Sequence, residues 1–254
     1  MGAPIWFLVI SALIPLVAAG YASRSTSLVH TIGWTFAAWA AWVLSLATRS
    51  SSACFLALGF TGCAGISVLG ARRPGAAAWN FVAVGLLAVF LVPMAEARIL
   101  DSPVRLGTMR TIFLASLLGV TVMNYLPTRL VSGAVLLGIG CGLELARIGD
   151  VAALDKSAIW CVGLAPWAGW IGLRLGPPAL LTCDRVWRGF RDRYGLIWGL
   201  RLREQFNRAA MNAGRNVELR WTGVRTRDGT PVEGETESFA SETLAALMQR
   251  FGLP

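Results

Sequence analysis

Residues 157–198 read SAIWCVGLAPWAGWIGLRLGPPALLTCDRVWRGFRDRYGLIW, and the stretch changes character halfway. Up to Leu173 it is apolar and uncharged, after Pro177 and Pro178 it mixes aromatics with arginines, and the two halves call for different surroundings. The first is long enough to cross a bilayer, which takes about 20 residues. The second has the two-faced composition of a helix lying beside one. This junction divides the chain into a transmembrane helical domain, 1–176, and a polar basic tail, 177–254.

Composition agrees with that division. Of 254 residues, 55% are hydrophobic and 15% charged, where a soluble domain carries about 25% charged residues, and mean hydropathy is +0.59. Residues 1–173 hold 10 of the 23 basic and 5 of the 14 acidic side chains, and the last 81 residues hold 13 and 9. Seven apolar segments stand out, at 4–22, 28–48, 53–71, 77–95, 111–126, 130–147 and 157–175. The fifth is slightly short, but Arg110 and Arg129 flank it and can snorkel to the headgroups. Prolines 15, 93 and 166 predict kinks where neighbouring helices satisfy the freed carbonyls. The predicted fold is therefore an all-α polytopic membrane bundle of about seven transmembrane helices, followed by a small α+β tail. The first segment could also be a secretory signal. Its start carries no Lys or Arg and no exported soluble domain follows, so it reads as a retained span.

Charge sets the orientation only through the tail. With seven spans and a cytoplasmic tail, the inner loops hold Arg24, Arg72, Arg73 and Arg129, and the outer loops hold Arg49, Arg98, Arg105, Arg110, Arg147 and Lys156. Adding Arg174, Arg185, Arg188, Arg191 and Arg193 makes nine inside against six outside, which favours a cytoplasmic tail. A re-entrant seventh segment turning at Pro166 is the competing arrangement, with Trp160, Trp167 and Trp170 as interfacial anchors.

At 100° per residue, Val186, Trp187, Phe190, Tyr194, Ile197 and Trp198 share one stripe, and Asp184, Arg185, Arg188, Arg191 and Asp192 lie opposite. Two partners suit this juxtamembrane helix. Either it lies on anionic lipid headgroups through Arg185, Trp187, Arg188, Phe190, Arg191, Tyr194 and Trp198, or the stripe packs on protein. The pattern shifts at Gly199, where a bend is expected. Beyond it, NVELRWTGV reads as a strand, Asp228-Gly229 as a turn, and TPVEGETE as an edge strand that sets Glu233, Glu235 and Glu237 across from Arg220 and Arg225. SETLAALMQRFG reads as a short helix closed by Gly252.

The inventory of reactive groups excludes much. One histidine, His30, leaves no material for histidine-based metal or haem sites. Cysteines 54, 63, 141, 161 and 183 lack CxxC spacing. Nucleophile-elbow, phosphate-loop and dinucleotide glycine motifs are missing too. No catalytic residue, metal or cofactor is therefore expected. Polar side chains at membrane depth are functional candidates, and the best are Asn124, Arg129 and Glu144, the last expected to pair with Arg147. Rows of small residues, Ala134, Gly138 and Gly142 in the sixth segment and Gly59, Cys63 and Ser67 in the third, predict close helix crossings within the bundle or in a homo-oligomer. The preferred class is a non-enzymatic scaffold or docking component with a protein partner at its tail. A permease or lipid-handling subunit and an enzyme of unfamiliar motif stay open. The tail is not expected to bind nucleic acid, because its arginines align with an aromatic membrane face. A ratio of 22 Arg to one Lys points to a GC-rich bacterial genome, hence a multi-pass protein of the bacterial cytoplasmic (inner) membrane.

Overall fold

The structure is a computed structural model that describes residues 3–72, 76–102, 104, 106–148, 157–175, 182–228, 232 and 234–253. It is mostly helical. Helices α1 (Ala3–Ser11) and α2 (Leu13–Ser23) form one rod, interrupted at Ala12 just before Pro15, whose missing N–H leaves a gap in the ladder. Then come α3 (Val29–Thr48), α4 (Ser51–Leu69), α5 (Ala76–Ile99), α6 (Thr108–Tyr125), α7 (Val131–Ile148) and α8 (Ser157–Leu175). Six of these are long and apolar enough to cross a membrane: the α1–α2 rod, α3, α4, α5, α7 and α8. Helix α6, the fifth segment of the sequence reading, is outside that set. It matches α7 in length but carries Arg110 in its first turn and Asn124 in its last.

Helix α4 is the centre of the bundle, with 61% of its apolar window buried against 17% for α5. Its glycines set the approach of α6. A Cβ on Gly62 would stand 2.4 Å from Leu117, and one on Gly65 would stand 1.9 Å from Thr121 Oγ1, so the two helices run side by side in the same direction. Helices α7 and α8 cross equally closely, Gly133 against the backbone of Ala165 and Gly169, and Gly140 against Ala158 and Val162. The expected row of Ala134, Gly138 and Gly142 does not make that crossing: Gly138 meets Val122 of α6, and Gly142 has no neighbour within 4 Å. The row thus serves a close approach to α6 at Gly138, where a Cβ would stand 2.8 Å from Val122, rather than the crossing with α8. Helix α8 continues unbroken through Pro166 and runs antiparallel to α7 along its length, from Ala158 beside Gly140 to Gly172 beside Arg129. The turn at Pro166 that a re-entrant segment requires is not there. Pro93 likewise lies inside a continuous α5.

The tail begins with α9 (Thr182–Asn212), continues through β1 (Val217–Arg220) and β2 (Gly223–Thr226), and ends with α10 (Glu235–Met248) and a 3-10 turn at Gln249–Phe251. Two expectations need correction. The bend in α9 falls at Gly195, where φ is +77°, not near Gly199. The hairpin turns at Trp221-Thr222, with Val217 opposite Thr226 and Arg220 opposite Gly223, so Asp228-Gly229 lies beyond it. In consequence Glu235 and Glu237 sit in the first turn of α10, a favourable end for carboxylates, and Glu235 meets Arg215 at 2.6 Å. Glu233, Gly229 and Pro231 lie outside the described residues.

Candidate functional site at the junction of bundle and tail

The described residues form two hydrophobic cores. One is inside the bundle. The other belongs to the tail, and Leu28, Val68 and Ala71 of the bundle are part of it. Into this second core α9 turns its aromatic stripe: Trp187 and Tyr194 are 0% exposed, Phe190 1% and Trp198 6%. Phe251 closes the cluster with its ring edge-on to Phe190, Tyr194 and Trp198, at centroid distances of 4.9, 4.9 and 5.2 Å. Of the two partners the sequence allowed, these four rings contact protein. Each polar tip finds a carbonyl, as buried Trp and Tyr require: Trp187 Nε1 donates to Trp221 O at 3.2 Å, Trp198 Nε1 to Val68 O at 2.9 Å and Tyr194 Oη to Phe251 O at 3.1 Å. Cys183 joins the same core, and burial pushes its thiol up to about 11.

The arginines divide. Arg185 is exposed, Arg188 is half-buried with Nε donating to Thr222 O at 3.3 Å, and Arg191 is buried. Arg191 gives Nη1 to Trp221 O at 2.9 Å and Nη2 to Asp192 at 2.9 Å. Asp192, 1% exposed, is the pivot. It also accepts from Arg129 Nε at 2.5 Å and from the Arg129 backbone N–H at 3.2 Å, while Arg129 Nη1 reaches Leu173 O at 3.1 Å. A buried carboxylate held by two guanidiniums and an amide is well compensated. Asp184, fully buried, does the same for the hairpin, accepting the Val224 N–H at 2.8 Å and Arg225 Nη1 at 3.3 Å.

Asn124 makes the least expected contact. At the Gly195 break, its Oδ1 accepts the Ile197 N–H at 3.1 Å and its Nδ2 donates to Tyr194 O at 3.4 Å. One amide from α6 therefore caps both halves of α9, supplying the partners that interrupted helix ends lack. A Cβ at position 195 would stand 2.2 Å from Asn124 Nδ2, so glycine is needed for space as well as for φ. Tyr125 adds a bond from its hydroxyl to Arg193 O at 3.2 Å. Opposite this turn, Ser27 Oγ donates to Ala71 O at 2.6 Å, and its N–H donates to Phe251 O at 2.9 Å.

The structure therefore gathers Asn124, Arg129, Trp187, Arg188, Phe190, Arg191, Tyr194 and Trp198 around one junction. Glu144 is elsewhere. It is buried near the other end of α7, paired with Arg147 at 2.7 Å, and Arg147 Nη2 also approaches Cys54 Sγ at 3.1 Å. Sequence reasoning missed Asp184, Asp192, Ser27 and Trp221 as junction residues. The two carboxylates were placed on the face opposite the aromatic stripe, and only their partners, far away in the chain, reveal the burial. Among the described residues no group of His, Cys, Asp and Glu could hold a metal ion. No protein-family model, curated protein or solved structure matches this chain.

Proposed function

We propose that the protein is a non-enzymatic scaffold of the bacterial cytoplasmic membrane that holds a folded tail rigidly against the inner end of its bundle and presents the tail's outer face to a protein partner. Alternating-access transport needs helix ends that move against one another. Here the tail ties together the α2–α3 connection through Ser27 and Leu28, the end of α4 through Val68 and Ala71, and the α6–α7 turn through Asn124 and Arg129; Arg129 in turn holds Leu173 of α8. This multiple anchoring is the observation that carries the reading. In the same proposal α6 crosses as a seventh span, supported by its packing alongside α4, where Gly62 meets Leu117 and Gly65 meets Thr121, and the tail is cytoplasmic by the charge balance.

Photo-crosslinking amino acids at Arg208 and Arg227, both exposed on the tail, test the docking role in native membranes. One discrete protein adduct is expected from these positions and none from Phe81, which is 78% exposed on α5. Absence of any tail adduct, together with substrate flux in reconstituted vesicles, would overturn the scaffold reading.

A further inference from the structure

Where the tail meets the end of α4, three arginines from separate elements line one groove. Arg72 follows α4, Arg201 projects from α9, and Arg250 lies in the 3-10 turn; together with Gln205, Trp198 and Phe251 they line a shallow surface groove, open to solvent, whose sheltered volume is about 10 Å³. Among the described residues no carboxylate lines it. The nearest in sequence to Arg201, Glu204, is held by Arg208 at 2.6 Å. Arg201 rests over the Trp198 ring, 5.0 Å from its centroid, which fixes the guanidinium plane without neutralising it. By contrast, Asp192 and Asp184 at the same junction each draw in arginines as partners.

Three unneutralised cations brought together by folding repel one another unless an anion joins them. Guanidinium forks match phosphate oxygens in pairs, and the Gln205 amide adds a neutral donor. We infer that this groove binds a phosphate group, held between Arg72, Arg201 and Arg250 above an aromatic floor. Position bears on its source. Arg72 stands three residues beyond Leu69, the end of a membrane-spanning helix, so the groove lies at headgroup depth, where the phosphate of an anionic phospholipid is at hand. The inference is independent of the scaffold reading, since a permease or an enzyme could carry the same site.

The test uses the full-length chain, purified in neutral detergent, with R201Q/R250Q as the variant and R208Q/R227Q as its charge-matched control. Thermal unfolding in neutral detergent first confirms that both variants remain folded; the four positions are exposed. Native mass spectrometry then follows retention of added phosphatidylglycerol, phosphatidylcholine and inorganic phosphate. Preferential retention of phosphatidylglycerol, weakened about tenfold or more in R201Q/R250Q and unchanged in the control, establishes the site with a lipid source. Saturable binding of inorganic phosphate that is lost in the same variant, without phosphatidylglycerol preference, establishes the site with a soluble source. Equal retention of every probe by the wild type and both variants, or an equal loss in the control, overturns it. Should R201Q/R250Q unfold, R201K/R250K replaces it: lysines keep the charge but lose the fork, and wild-type affinity in that protein also overturns the site.

Discussion

At the scale of single residues, Asn124 substitutes for a piece of backbone. Asn124→Ala takes the acceptor from the Ile197 N–H and removes the amide donor to the Tyr194 carbonyl in a buried place, which costs about 1–3 kcal/mol. Gly195→Ala is expected to cost a similar amount, about 1–3 kcal/mol for the left-handed conformation, with displacement of the Asn124 amide in addition. Both changes remove the same insertion, so the double variant should fall well short of the sum of the two; additive losses in tryptophan-monitored unfolding would refute the shared cap. Asp192 offers a second comparison. Asp192→Ala strips Arg191 and Arg129 of their common acceptor and should cost about 3 kcal/mol. Arg129→Ala should cost less, because Asp192 keeps Arg191 and because Arg129 is 28% exposed and partly solvated. The reverse order in chemical denaturation would mean that Asp192 is not the pivot. None of this could be read from the sequence. Asn124 and Arg129 stood out as polar groups near a span end, but their partners are some seventy and sixty-three residues away, and nothing local marks the pairing.

At the scale of elements, the legible part was the pattern and the illegible part was its partner. The stripe of Trp187, Phe190, Tyr194 and Trp198 follows from helical spacing alone, whereas burial against Leu28, Val68 and Phe251 depends on how distant segments pack. The hairpin shows the same limit. Asp228-Gly229 is the better turn by local preference, yet the chain turns at Trp221-Thr222, because Asp184 receives the Val224 N–H and occupies the space where any side chain at Gly223, φ +152°, would go. Phe190→Ala should therefore destabilise the tail by about 3–5 kcal/mol, as large-to-small changes in a packed core do. Arg185→Gln, on the exposed side, should stay within about 0.5 kcal/mol. Limited proteolysis of the tail in detergent reads both. If Arg185→Gln loosens the tail as much as Phe190→Ala does, the division of α9 into buried and exposed faces is wrong.

At the scale of the whole molecule, the six strongly apolar spans were legible from hydropathy, and α6 was the one segment left at the margin. If α6 crosses, Ser102 and Arg208 lie on opposite sides. In a chain with its five native cysteines replaced by alanine, a cysteine at 102 should react with an impermeant maleimide in intact cells, and one at 208 only after permeabilisation. Labelling of both from the same side would rule out the seventh crossing. The bond from the Ser27 amide to the Phe251 carbonyl has a consequence in time. Synthesis runs at about 5–20 residues per second, so the connection after the first span waits on the order of 10–50 s before its partner leaves the ribosome. Until then Leu28, and Val68 and Ala71 once they are made, lack the tail residues that cover them in the folded protein. A chain whose α6 is misplaced presents no Asn124 to the α9 break and lacks one of the contacts that hold the tail over this surface.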